Sequence, residues 1–185
     1  MTRYVVGFLL AVGLIVVVIV LIIRALTAAP SGPKPLDLNS YAGTDTTVQL
    51  TIDSPVASES AHHDIVITVG NLEATLTVTQ GYDNQIVRMK SYQTTTAGYA
   101  TFLHALSING FAKGNSDPNV ADERGQCALG DRYIFEVLDS TGHDLERYWY
   151  TSCGNGTFKG KVGAVRNLFQ LQIPDYVSLT SGINL

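Results

Sequence analysis

Apolar and polar residues alternate along several stretches of this chain and recur at helical spacing in others. In "TVQLTI", Val48, Leu50 and Ile52 alternate with Thr47, Gln49 and Thr51. "DIVITVGNLEATLTVTQ" holds two such runs, Ile65 to Val69 and Leu72 to Val78, and Gly70-Asn71 between them reads as a two-residue hairpin loop. Leu72, Ala74, Leu76 and Val78 share one face of the second run, opposite Glu73, Thr75, Thr77 and Thr79, the pattern of a half-buried antiparallel strand. A fourth strand is expected over Gln85–Tyr92, after the turn "GYDN". The period then changes. Tyr99, Phe102, Leu103 and Leu106 fall on one helical face, with a cap among Thr94 to Thr96 and an end at Gly110. A strand–turn–strand follows from Tyr133 to Thr151, turning through "DSTGHD". Val162, Val165, Leu168, Phe169 and Ile173 form a second helical stripe that Pro174 stops. The order ββββ-α-ββ-α predicts an α+β fold, an antiparallel sheet with two helices packed on one face.

Folding the last hairpin about Ser140 sets Tyr133 opposite Arg147, Phe135 opposite Leu145, and Cys127 opposite Cys153. In that register both cysteines share a face with Phe135, Val137, Leu145 and Trp149, and directly opposed Cβ atoms lie within bridging reach. A Cys127–Cys153 disulfide is therefore expected, and with it an oxidising compartment.

The amino terminus offers a route to one. "YVVGFLLAVGLIVVVIVLII", Tyr4 to Ile23, carries no charge and spans 20 residues between Arg3 and Arg24. At 1.5 Å per residue that crosses roughly 30 Å of hydrocarbon. The run exceeds the apolar core of a cleavable signal peptide, so an uncleaved anchor over residues 1–27 is expected. The basic residues flanking it are nearly balanced, and the cysteine pair decides for a domain outside the cytoplasm. "AAPSGPKPLDLNS" reads as a proline-rich linker over residues 28–40, and residues 41–185 as one α+β domain. Gly7-Phe8 within the apolar run resembles the cleavage point of type IV pilins, but Val12 stands where that family carries Glu.

The chain has 12 Lys and Arg against 16 Asp and Glu, a net charge of −4. That balance, with an outside location, disfavours nucleic acid as a partner. The charges segregate: Leu36 to Val87 holds seven acids and no Lys or Arg, whereas Arg147 to Pro174 holds Arg147, Lys159, Lys161 and Arg166 and no acid. Lys159, Lys161 and Arg166 are candidate contacts for an anionic polymer or lipid headgroups.

Candidate chemistry adds little. His62 and His63 are adjacent in "SESAHHD" and would point to opposite sides of a strand, so a solvated loop is expected there. Asn115, Asp117 and Asn119 alternate as in a calcium loop, but Val120 and Gln126 occupy the positions that need Gly and Glu. "GNGTFKGK" lacks phosphate-loop spacing. No catalytic, metal or cofactor residues are assigned. The expected function is a membrane-anchored, extracytoplasmic, non-enzymatic binding or assembly module of the cell envelope. Its partners would be the bilayer, through residues 4–23, and an envelope protein or anionic polymer. An envelope hydrolase or transferase with scattered site residues, and a pilus or secretion-system accessory, are the alternatives.

Overall fold

The alternating stretches form six strands in the computed structural model, which describes residues 13–22, 24 and 37–183. They are β1 (Thr47–Asp53), β2 (His63–Val69), β3 (Glu73–Gln80), β4 (Gln85–Gln93), β5 (Arg132–Leu138) and β6 (Asp144–Thr151). All pair antiparallel in one sheet of order β4-β3-β2-β1-β5-β6. Period-two patterning selects the buried face: Val48, Leu50, Ile52, Ile65, Ile67, Val69, Ala74, Leu76 and Val78 are all fully buried. Each large aliphatic side chain among them contributes about 1.5–3 kcal/mol by leaving water.

Helices cover that face. Helix α1 (Thr96–Ile108) is capped by Thr95, whose hydroxyl accepts from Gly98 N–H at 3.1 Å. It buries Tyr99, Phe102, Leu103 and Leu106, the four stripe residues. It ends at Gly110, where φ is 79°, with Phe111 N–H donating to Leu106 O and Gly110 N–H to Ser107 O. That pair of bonds is the Schellman arrangement, and its left-handed residue favours glycine. Helix α2 (Val162–Gln170) buries Val165 and Phe169 and meets α1 edge-to-face through Phe102 and Phe169, centroids 5.2 Å apart. A short helix α3 (Tyr176–Thr180), beyond the two helices expected, packs along the core face of β4. There Arg88 donates to Leu179 O (2.6 Å) and Ser181 O (3.1 Å), and Lys90 and Tyr92 both bond Asp175.

The expected register of the β5–β6 hairpin is corrected by three residues. Phe135 pairs with Tyr148, Tyr133 with Tyr150 and Ile134 with Trp149. The loop closes further along than Ser140: Asp139 N–H donates to His143 O, the Asp139 carboxylate accepts from the N–H groups of Thr141 and His143, and Gly142 takes φ 82°. A bulge at Leu145 then adds one more residue to β6. An odd shift exchanges the faces of β6, so Tyr148 joins the core while Leu145 and Trp149 lie on the other side. Neither cysteine lies in a strand. They are nonetheless bonded, Cα atoms 5.8 Å apart, joining the turns just before β5 and just after β6.

Leu38, inside the segment assigned to the linker, sits in a 3-10 turn (Leu38–Tyr41) and is fully buried in the core. Residues 13–22 are helical and expose Leu14 through Ile22. Among the described residues no helix is long and apolar enough to cross a membrane. The anchor expected over Tyr4–Ile23 lies in part, and the linker from residue 28 to 36 wholly, outside them.

Candidate functional site

Within residues 37–183 no α-helix covers the second face of the sheet, which presents three cross-strand rows. Arg147, Glu136, Gln49, Thr68, Thr75 and Ser91 form the first, by strand pairing from β6 to β4. Their side chains are linked: Arg147 Nε to Glu136 Oε1 (3.0 Å), Gln49 Nε2 to Glu136 Oε2 (2.8 Å), Thr68 Oγ1 to Gln49 Oε1 (2.9 Å), and Thr75 to Ser91 (3.0 Å). Trp149, Ile134, Thr51, Val66, Thr77 and Met89 form the middle row, and Arg132, Asp53, Asp64, Thr79 and Ile86 the third.

The segment between Asn115 and Gly130 closes over the β5–β6 end. Its turns are held by Asp117, which accepts from Asn119 N–H. Val120 O accepts from Trp149 Nε1 (2.8 Å), Ala121 O accepts from Arg147, and Glu123 pairs with the Arg147 guanidinium at 2.7 Å. The result is a groove of about 400 Å³ floored by residues such as Thr51, Val66 and Ile134 and walled by Glu123, Glu136 and Arg147. Burial, with Asp144 second, pushes the Glu136 carboxyl up.

At the opposite end of the groove the structure corrects the expectation for "SESAHHD". His63 opens β2, and His62 is 3% exposed rather than solvated. Its ring stacks on Tyr82 at 4.2 Å, and its Nδ1 lies 3.1 Å from Ser54 Oγ. Its Nε2 faces Asp64 Oδ1 at 3.5 Å and Asp53 Oδ1 at 3.7 Å. Arg132 grips both oxygens of Asp53, at 2.6 and 2.7 Å. Asp64 shares no such cation, and burial, reinforced by the neighbouring Asp53, pushes its carboxyl up to about 6. Sequence reasoning missed this cluster. The available signal was the pairing of β1 with β2, which sets Asp53 directly opposite Asp64 and leaves His62 one step before the strand.

Ser54, His62 and the carboxylates imitate the order of a nucleophile triad. Ser54 is 1% exposed and its Oγ already accepts from His63 N–H at 3.0 Å, so no acyl group reaches it. The three basic candidates are not joined by any hydrogen bond or ion pair among the described residues. Lys159 is exposed and donates to Gly156 O (2.9 Å), Lys161 is exposed at the start of α2, and Arg166 stacks on the Tyr133 ring at 4.0 Å.

No protein-family model and no curated protein sequence matches this chain. The fold class is that of an α+β domain with a one-sided antiparallel sheet.

Proposed function

We propose that the protein is a membrane-anchored, extracytoplasmic binding or assembly module of the cell envelope, held by the apolar run Tyr4–Ile23 and engaging its partner through the open face of the sheet. One observation carries the reading: within residues 37–183 the α-helices cover a single face, and the other offers a groove with fixed polar groups around Val66 and Ile134. The Cys127–Cys153 bond supports the location. Around the groove Asp53, Asp64, Glu123 and Glu136 outnumber Arg132 and Arg147, four carboxylates against two guanidinium groups. That balance favours a protein segment bearing cationic or amide groups there over an anionic polymer. A photo-crosslinking residue at Thr77 or Met89 should capture a partner in native envelopes, while one at His104, exposed on α1, should not. Equal capture from both faces, or none from the open face, overturns the reading. A reporter active only outside the cytoplasm, fused after Leu185, should be active, and an inactive one reverses the orientation.

A hydrolase or transferase has one observation in its favour, the convergence of His62 with two carboxylates at the groove's end. Turnover by purified protein that is lost in His62→Gln would establish it.

A further inference from the structure

We propose that Asp53, His62 and Asp64 form a divalent metal site of the zinc class, opening on the end of the groove. The inference stands apart from the binding-module reading, since it concerns an ion and not a partner.

The donor set is chemically coherent: one imidazole nitrogen and two carboxylate oxygens, one from each residue, all within 4.8 Å of one another. Bonds of about 2.1 Å at tetrahedral angles set ligand atoms about 3.4 Å apart. The His62 Nε2 separations from Asp64 Oδ1, 3.5 Å, and from Asp53 Oδ1, 3.7 Å, lie near that edge and are too long for strong hydrogen bonds. Three protein ligands leave a fourth position free, facing the groove that Asp53 and Asp64 both line.

The second shell is in place. Nδ1 of His62 is held by Ser54 Oγ, which directs Nε2 at the carboxylates, and Tyr82 fixes the ring from its face. Arg132 holds Asp53 through both oxygens, yet each carboxylate oxygen retains a second acceptor direction for a metal.

Two independent features point to a bound cation. Asp53 and Asp64 are direct cross-strand partners, an arrangement that is repulsive for two carboxylates, and the single Arg132 guanidinium is taken up by Asp53. In addition, Asp64 Oδ1 and Thr79 Oγ1 are both buried without a hydrogen-bond partner. Thr79, 7% exposed, is the cross-strand partner of Asp64 and lines the same end of the groove. Buried polar atoms left unpaired are rare and costly, and a hydrated ion held by Asp64 would supply a partner to that oxygen and a water to the adjacent Thr79 hydroxyl. Imidazole with carboxylate suits zinc, cobalt or manganese rather than calcium or magnesium, and the tetrahedral spacing favours the first two.

The full 185-residue chain, purified in detergent and stripped with chelator, is titrated with Zn²⁺ and with Co²⁺ at pH 7.5. The expected result is one ion per chain, a raised melting temperature, and the intense visible absorption of four-coordinate Co²⁺. Asp64→Asn keeps the side-chain shape, and His62→Gln keeps a polar group toward Ser54. Each should weaken binding by more than the roughly 10–100-fold that follows loss of an outer-shell partner. Replacing the exposed His104 and His143 together with Gln should leave binding unchanged. The proposal is overturned if the folded chain binds neither ion, if Co²⁺ shows only the weak absorption of six-coordination, or if both site variants, folded by circular dichroism, bind as the unmodified chain does. It is equally overturned if the His104/His143 variant loses the ion. Because no partner is involved, a negative result here leaves the crosslinking outcome unaffected, and the reverse holds.

Discussion

Replacing Cys127 and Cys153 together with Ala tests the bond that spans the β5–β6 hairpin. The two residues are separated by 26 positions, and closing a loop of that length in the unfolded chain corresponds to about 3.5 kcal/mol. Packing adds little to the figure, because Cys153 is exposed and Cys127 only half-buried, so the substitution opens no sizeable cavity. The strands between the bridged turns pair from Arg132–Thr151 to Leu138–Asp144 without help from the sulfurs, so the native hairpin should persist in the variant. The loss is therefore expected in the unfolded state, which becomes freer. Urea denaturation should show stability falling by about 3 kcal/mol and the slope with denaturant rising, since an uncrosslinked chain exposes more surface. The melting temperature should drop by roughly 7–14 °C for a domain of this size. Against a total near 5–15 kcal/mol that is a large share. Stability within about 1 kcal/mol of the unmodified chain, with an unchanged slope, would refute the loop-entropy argument.

Three further outcomes follow from the sheet and its charges. Arg132→Met leaves Asp53 and Asp64 facing each other without their guanidinium and should cost about 3–5 kcal/mol in urea unfolding, while a loss below about 1 kcal/mol would show that the pair is neutralised otherwise. Glu136 is held above the usual carboxylate value by burial, so its contribution to stability is fully present below the unfolded value and is lost as pH rises through the folded one. The stability of the unmodified chain relative to Glu136→Gln should accordingly fall as pH rises above the ordinary value of 4.5, and a flat difference would contradict the shift. If the α2 region contacts a polyanion, changing Lys159, Lys161 and Arg166 to Gln should reduce retention on anionic vesicles at low salt, with the effect fading as the screening length shrinks below roughly 10 Å; unchanged retention leaves those residues a role in solubility alone.

The elements legible in the sequence are those whose local pattern and tertiary burial coincide. Val48, Leu50 and Ile52 alternate because one side of β1 is core, and Tyr99 to Leu106 recur at helical spacing because one side of α1 is. The β5–β6 register was not legible for two local reasons. The Asp139 side chain sets a three-residue loop centred beyond Ser140, and Leu145 bulges, so counting from the apparent turn centre accumulates an error of three. α3 is only five residues long and stabilises itself through Arg88 and Lys90 of a distant strand, which no window along the chain reveals. The metal-like cluster was hidden differently. His62 looked solvated because its neighbours are Ser, Glu and Ala, and its burial comes from Tyr82, twenty positions away and brought near by the β2–β3 pairing. Asp53 and Asp64 become a pair only when β1 and β2 are laid side by side in register.

The place of β1 in the sheet has a mechanical consequence. It is the first strand in the chain, yet it lies between β2 and β5, paired along its length to both. A pull on the polypeptide ahead of Leu38 must first draw that buried side chain from the core and then acts on β1, whose neighbours are held by the rest of the sheet. Lengthwise sliding must break the bonds on both flanks together, whereas a chain entering at an edge strand would peel them one at a time. A load applied ahead of Leu38 thus meets a strand held on both sides, and force-spectroscopy traces pulled from the amino terminus should show one high rupture rather than a staircase.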